Sequence, residues 1–265
     1  MTSGSPASAN SAGASAGSGR RRVSVGPCSA MLALVYDIHG NLPALEAVLG
    51  DAAARGASAY LLGGDVAAFG AWPAETVARL RELPDATWIR GNTERWLADR
   101  ADLPPDQPMH EAALACREAL GDAVADELAA LPERARPAAT TLAVHASPVS
   151  DMRSFAREAS PEDGELLAGV QDERLVFGHT HVAFRRVAAR DDGGDVELVN
   201  PGSVGMPFDG DHRAAYAVLD PAGGVRHHRV AYDHEASAAE VERRFGDARW
   251  AGIVAARLRT ARFDV

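Results

Sequence analysis

Residues 31–65 read MLALVYDIHGNLPALEAVLGDAAARGASAYLLGGD, and two short apolar runs in this stretch flank one longer amphipathic run. The apolar runs, 31–36 and 58–63, are short and bounded by polar turn residues, which is typical of buried strands. Between them, residues 41–56 carry apolar side chains at helical spacing, with Asn41 able to cap a helix and Gly56 able to end it. This order of strand, helix and strand predicts a parallel α/β sheet.

The alternation continues beyond this stretch. A helix is predicted over 74–83, a strand over 87–90 and a helical segment over 110–131. Further strands are predicted over 140–145, 173–178, 195–200, 214–220 and 225–232, with a hairpin turn at DPAGG (220–224). A final helix fills about 235–259, and its apolar stripe favours packing on the domain or pairing with a second subunit in a homo-oligomer. We therefore expect one α/β domain over 31–265, with a second, more antiparallel sheet.

Composition narrows the class of protein. The 46% hydrophobic and 24% charged residues are normal for a globular domain, while residues 1–30 are rich in Ser, Ala and Gly and predict a disordered tail. The net charge of −10 disfavours nucleic-acid polymers and anionic membranes as partners. No apolar run approaches the roughly 20 residues that span a bilayer. Two cysteines without a CxxC spacing favour a reducing, cytoplasmic location.

Side chains able to bind metal follow five of the predicted strands. In an open α/β sheet, ligands bind at the carboxyl ends of the strands, so these side chains should meet. The set is Asp37, His39, Asp65, Asn92, His145, His179 and His181. Seven ligands exceed the four of a tetrahedral zinc site but suit two divalent cations that share a carboxylate. Mixed imidazole and carboxylate donors favour manganese, with iron, zinc, nickel or cobalt as alternatives, over calcium or magnesium.

The motifs resemble those of the calcineurin-like metallophosphoesterase superfamily. They are DIH (37–39), GD (64–65), GNTE (91–94), His145 and GHTH (178–181), in the family's order. DIHGN and NPGSVG (200–205) look most like the small bacterial and archaeal phosphodiesterase branch, some of whose members carry a diadenosine-tetraphosphatase-like description.

The resemblance implies a two-sheet αββα sandwich and a two-metal site. One metal would be held by Asp37, His39 and His181, and the other by Asn92, His145 and His179. Asp65 would bridge the two metals, and a metal-bridging water or hydroxide would be the nucleophile. Of these ligands, Asp37, His39, Asp65, Asn92 and His145 would form the catalytic set through the bound metals.

The sequence departs from the family pattern at one position. Thr93 stands where the family's GNH histidine is thought to protonate the leaving group. A hydroxyl group has no pKa near neutrality and is a poor general acid, so leaving groups of low pKa should be favoured. His110 could supply a proton, although an exposed helix position explains this residue as well.

Substrate contacts are less determined than metal ligands. Asn92 is expected to contact substrate as well as metal. Asn41 is either a helix cap or a phosphate ligand, and Arg153 could neutralise a phosphate or lie on the surface. We expect a metal-dependent phosphodiesterase or phosphatase acting on a small, nucleotide-like phosphoester. The alternative is a scaffold or protein-binding module that keeps the fold without efficient chemistry.

Overall fold

A computed structural model describes residue 1, residues 30–98, residue 103 and residues 107–264. Two five-stranded mixed sheets pack face to face, and helices cover their outer faces. This is the αββα sandwich that the sequence motifs imply. The predicted disordered tail falls on residues that lie, apart from Met1 and Ala30, outside the described part of the chain.

The first sheet has the strand order β10-β9-β1-β2-β3. Its strands are β1 (Met31–Val35), β2 (Ala57–Leu62), β3 (Ala86–Trp88), β9 (Ala214–Leu219) and β10 (Val225–Val230). The first three are parallel, and β9 runs antiparallel to β1 and to β10. The hairpin predicted at 220–224 joins β9 to β10.

The second sheet has the order β4-β5-β6-β8-β7. Its strands are β4 (Arg134–Ala138), β5 (Thr141–Val144), β6 (Arg174–Val176), β7 (Phe184–Ala189) and β8 (Asp195–Asn200). The three central strands are parallel, and an antiparallel strand closes each edge.

Eight helices are described, and most of them cover the first sheet. They are α1 (Leu42–Ala54), α2 (Pro73–Arg81), α3 (Asn92–Ala98), α4 (Gln107–Leu120), α5 (Asp122–Ala129), α6 (Asp163–Leu166), α7 (His234–Phe245) and α8 (Arg249–Thr260). Among the described residues no helix is long and apolar enough to cross a membrane.

The apolar core lies in three layers. Between the sheets, Leu34 and Leu61 of the first sheet pack against Val176 and Val199 of the second, all without exposed surface. A larger layer joins the outer face of the first sheet to its helices, and a smaller one lies under α6 on the second sheet. Rigid packing of this kind holds the strand ends in fixed relative positions.

Two predicted helices are each divided in the structure. The helical segment at 110–131 is two helices, because Gly121 interrupts it with a φ of 77°. The final helix, expected as one over 235–259, is likewise α7 and α8, separated at Gly246 with a φ of 58°. The buried face of α8 packs into the core of its own domain, as the first of the two alternatives for its apolar stripe expected.

The expectation of a more antiparallel second sheet was wrong. The strands predicted at 214–220 and 225–232 join the first sheet, with β9 beside β1, and each sheet contains two parallel and two antiparallel strand pairs. Alternation of apolar and polar residues indicates that a segment is a strand, but long-range packing determines which other strand it pairs with. Two edge strands, β4 and β7, were not anticipated.

Candidate metal centre

The loops that follow β1, β2, β3, β5 and β6 meet at one end of the sandwich. They carry all seven residues that the sequence motifs single out, and six of these are buried while His179 is partly exposed. Two groups have donor atoms within 4.8 Å of one another: Asp37 with His39 and His181, and Asp37 with Asp65 and His145. The structure therefore brings together the residues that the sequence places at separate strand ends.

One pair of imidazoles, His39 and His181, face each other with their Nε2 atoms 3.1 Å apart. Each ring donates its Nδ1 hydrogen to a backbone carbonyl, His39 to Ala68 at 3.1 Å and His181 to Met206 at 2.6 Å. Because a carbonyl only accepts hydrogen bonds, both Nε2 atoms carry lone pairs in the neutral rings. Two lone pairs at this distance repel unless a cation lies against both.

A second group repeats this arrangement around Asn92. His145 donates Nδ1–H to the carbonyl of Gly63 at 2.9 Å, which leaves its Nε2 lone pair 3.0 Å from Asn92 Oδ1. His179 Nδ1 lies 3.0 Å from the same oxygen. Histidines that bind metal commonly fix their tautomer by donating the other N–H to a carbonyl.

The carboxylate of Asp65 lies between the two histidine groups. Its Oδ2 is 3.8 Å from His39 Nε2, and its Oδ1 is 3.6 Å from His145 Nε2. Asp37 also reaches both groups, since its Oδ1 lies 3.7 Å from His181 Nε2 and 4.0 Å from His145 Nε2. The donor set of neutral imidazoles, carboxylates and an amide oxygen fits two divalent transition-metal ions.

Burial shifts the pKa values of these groups towards their neutral forms. Desolvation, followed by repulsion from Asp65, raises the pKa of Asp37 well above its usual value. Desolvation also raises the pKa of Asp65 to about 6 and lowers that of His39 to about 3 and that of His179 to about 4. The four imidazoles are therefore neutral near pH 7 and available as ligands.

Five of the seven residues adopt left-handed backbone conformations. Their φ angles are 52° for Asp37, 50° for His39, 53° for Asp65, 67° for His179 and 57° for His181. Residues other than glycine rarely adopt positive φ, and such outliers concentrate at functional sites. In GHTH the two histidines point to different donor groups while Thr180 lies between them, as the division of that motif between two metals requires.

A buried glutamate that the metal-ligand pattern does not include organises two of these loops. Glu94 is 1% exposed and accepts three backbone N–H bonds, each of 2.8 Å, from Asp65, Val66 and Gly91. Desolvation, followed by repulsion from Asp65, raises its pKa. Glu94 thus fastens the loop after β2 to the loop after β3. Its place directly after GNT is the only sequence signal for this role.

Thr93 is turned towards Asp65 rather than towards open space. It is 1% exposed, and its hydroxyl and backbone N–H donate to Asp65 Oδ1 at 2.9 and 3.0 Å. This threonine therefore orients the central carboxylate. Its hydroxyl is not an exposed proton donor.

The two other candidate substrate contacts, Asn41 and Arg153, already have protein partners. Asn41 accepts from Ala44 N as the cap of α1 and donates to the carbonyl of Gly205 at 2.8 Å. Arg153 forms two hydrogen bonds with Glu165, of 2.7 and 3.1 Å, on an exposed surface. Asn41 acts as the helix cap that its position predicts, and substrate binding by either residue stays a prediction.

Residues at the end of β8 and in the loop after it hold two of the ligand loops in place. Ser203 Oγ donates to the carbonyl of Asp37 at 2.7 Å, and Asn200 Nδ2 donates to the carbonyl of Gly178 at 2.9 Å. The NPGSVG segment, which carries both residues, thereby joins the DIH loop to the GHTH loop. The hydrogen bonds of these two side chains therefore support the loops that carry the metal-ligand residues.

The fold and these clustered donors define a sandwich of the metallophosphoesterase class. The calcineurin-like phosphoesterase superfamily domain matches residues 31–224, and the chain belongs to this superfamily. An uncharacterised protein of Methanocaldococcus jannaschii is 28% identical over 211 residues, which cover 72% of this chain and 82% of that protein.

Solved structures agree with this family. The crystal structure of a metallophosphoesterase from Sphaerobacter thermophilus superposes with a TM-score of 0.72 at 27% identity, covering 88% of this chain and 99% of that one. A protein of Pyrococcus horikoshii OT3 shares the fold with a TM-score of 0.71 at 21% identity, covering 84% of this chain and 97% of that one.

Proposed function

We propose that this protein is a phosphoesterase that uses two divalent metal ions to hydrolyse small, nucleotide-like phosphodiesters or phosphomonoesters. The observation that carries the proposal is the convergence of four imidazole nitrogens on the side-chain oxygens of Asp37, Asp65 and Asn92. One ion would be held by Asp37, His39 and His181, and the other by Asn92, His145 and His179, with Asp65 between them. Manganese is the first candidate for both.

Bound metals at such a site would polarise a phosphoryl oxygen and lower the pKa of water to near neutrality. The protein itself orients the side chains that would hold these metals. Asp65 is held between the two histidine groups by Thr93, and the carbonyls of Ala68, Gly63 and Met206 keep the imidazoles in one tautomer. Asn92, on the first turn of α3, would orient one substrate oxygen beside the metal.

The reaction is expected to depend strongly on the leaving group. The Thr93 hydroxyl donates a hydrogen bond to Asp65, and a hydroxyl is a poor general acid. Phosphate chains and nitrophenolate leave without protonation, whereas alkoxides do not. A phosphodiesterase with a preference for acidic leaving groups is therefore the form of the activity that we propose.

The test is hydrolysis of bis-p-nitrophenyl phosphate with added manganese. Asp65→Asn and His145→Ala should each lower kcat by at least about a hundredfold, because each removes a charged or neutral ligand from the site. The matched control is His228→Ala, which removes a part-exposed histidine of β10 whose ring lies at a tilted angle against Tyr216. If the manganese-loaded protein leaves a broad panel of phosphoesters intact, the proposal fails.

A scaffold role is the alternative, and the replacement of the expected histidine by Thr93 is its one support. Metal content separates the two functions. About two tightly bound ions per chain favour the enzyme. A chain that binds no divalent metal and has no esterase activity favours the scaffold.

A further inference from the structure

A cleft of about 290 Å³ opens directly beside the histidine group formed by His145. Its walls come from the loop after β3, the start of β4 and the loop after β5. Three arginines, Arg90, Arg95 and Arg134, line it together with His145 and Asp151. The cleft therefore adjoins the metal centre and is lined by cationic side chains.

Two of the three arginines are already paired with carboxylates. Arg95 binds Asp151 through two hydrogen bonds of 2.6 and 3.0 Å, and Arg90 hydrogen bonds to Glu133 and to the carbonyl of Ala129. These pairs fix the walls of the cleft and largely cancel in charge.

Arg134 differs from these two. Its guanidinium donates to the carbonyl of Pro148 at 3.2 Å, and it forms no ion pair with any carboxylate in the described part of the chain. Among the described residues that line the cleft, three arginines stand against two carboxylates, Asp151 and Glu133, in a protein whose net charge is −10. A local excess of this sign attracts an anion, and guanidinium matches phosphate geometry.

The size of the cleft limits the anion. Pockets for small molecules begin at roughly 300 Å³, so a cleft of about 290 Å³ takes one or two phosphate groups with part of a sugar, and not a folded polymer. Because His145 lines the cleft, one ligand could place an anionic group in the cleft and a phosphoryl group at the metal centre.

We propose that this cleft binds a second, non-scissile phosphate of the substrate, with Arg134 as the residue that determines this specificity. The inference rests on the proposed function and names its substrate class, which is a phosphoester with at least one further phosphate on the chain beyond the scissile one. Arg90 and Arg95, held by their carboxylates, shape the cleft, and Arg134 supplies the charge.

The experiment compares two chromogenic esters that share a nucleoside and a leaving group. One is the p-nitrophenyl ester of adenosine monophosphate, and the other is the γ-p-nitrophenyl ester of adenosine triphosphate. Both are assayed with the manganese-loaded wild type, with Arg134→Gln and with Arg226→Gln. Arg226→Gln is the matched control, because it removes the same charge from a position outside the cleft. The Arg226 side chain lies on β10 and is 76% exposed.

The wild type should have a lower KM for the triphosphate ester than for the monophosphate ester. Arg134→Gln should raise the KM for the triphosphate ester about tenfold, the effect of one charge-assisted hydrogen bond, and leave its kcat and the monophosphate kinetics unchanged. Arg226→Gln should alter neither ester by more than about twofold. Equal effects of Arg134→Gln on both esters, or no preference in the wild type, would overturn the inference.

A binding measurement separates this inference from the proposed function. Calorimetric titration with the manganese complexes of adenosine monophosphate and triphosphate needs no turnover. If neither ester is hydrolysed but Arg134→Gln weakens triphosphate binding selectively, the proposed activity fails while the phosphate subsite stands. If both esters are hydrolysed and triphosphate binding is unaffected, the subsite fails alone.

Discussion

Glu94 offers the most direct test of how the two ligand loops are held. Its carboxylate accepts backbone hydrogen bonds from Asp65, Val66 and Gly91, and all three donors are buried with it. Glu94→Gln keeps one acceptor oxygen and presents an NH₂ group to the remaining donor or donors. The loss of at least one buried hydrogen bond to a charged acceptor should cost about 1.5–3 kcal/mol of unfolding free energy.

Glu94→Ala removes all three acceptor contacts and leaves three donors unsatisfied. Its cost should be at least about twice that of Glu94→Gln, since each unsatisfied buried donor costs about 1–3 kcal/mol. Urea denaturation of the metal-free protein in chelator measures both variants without interference from metal binding. Loosening of the Asp65 loop should also weaken manganese binding, which calorimetry measures separately.

The control for these variants is Glu82→Gln, because the Glu82 side chain is 71% exposed after α2 and its ion pair with Arg79 is long, at 3.5 Å. It should change the unfolding free energy by less than about 0.5 kcal/mol. The reasoning is refuted if both Glu94 variants are as stable as the wild type, or if the alanine variant is no less stable than the glutamine variant.

Three further outcomes are expected. Manganese affinity should fall as the pH drops below about 6, because a cation must then displace the proton on Asp65. Calorimetry should therefore detect more proton release on manganese binding at about pH 5.5 than at about pH 7.5. Thr93→Val removes a hydrogen bond that lowers the pKa of Asp65, so the same affinity curve should shift upwards by roughly half to one pH unit, and an unshifted curve would contradict this role. Gly178→Ala places a Cβ 2.5 Å from Asp37 Oδ2 and should lower both manganese affinity and the thermal midpoint, whereas Gly252→Ala in α8, with nothing within 4 Å, should not.

Much of the metal centre could be predicted from the sequence because its ligands follow strands that short apolar runs reveal. Asp37, Asp65 and His145 each come directly after such a run or within two residues of it. Since parallel strands in each sheet end at the same edge, their meeting follows from the topology. The sandwich itself was expected from the resemblance and is confirmed.

The rest depended on contacts that no local pattern encodes. Glu94 binds backbone N–H groups 28 and 29 residues earlier in the chain, and backbone donors leave no mark on the sequence. Strand β9 pairs with β1 across most of the domain, so its sheet was set by packing and not by its own alternation. Arg134 lies on an edge strand that was not anticipated. It lines the same cleft as His145 because β4 pairs with β5, which no local sequence pattern indicates.

The left-handed conformations of five ligands have an evolutionary consequence. An aspartate or histidine in this region costs about 1 kcal/mol or more relative to glycine. A lineage that no longer needed the donors could replace any of the five with glycine and relieve that strain. Asp37, His39, Asp65, His179 and His181 therefore each carry a side chain at a position where glycine would be less strained. Backbone strain of this kind concentrates where a site needs the donor atoms of its side chains.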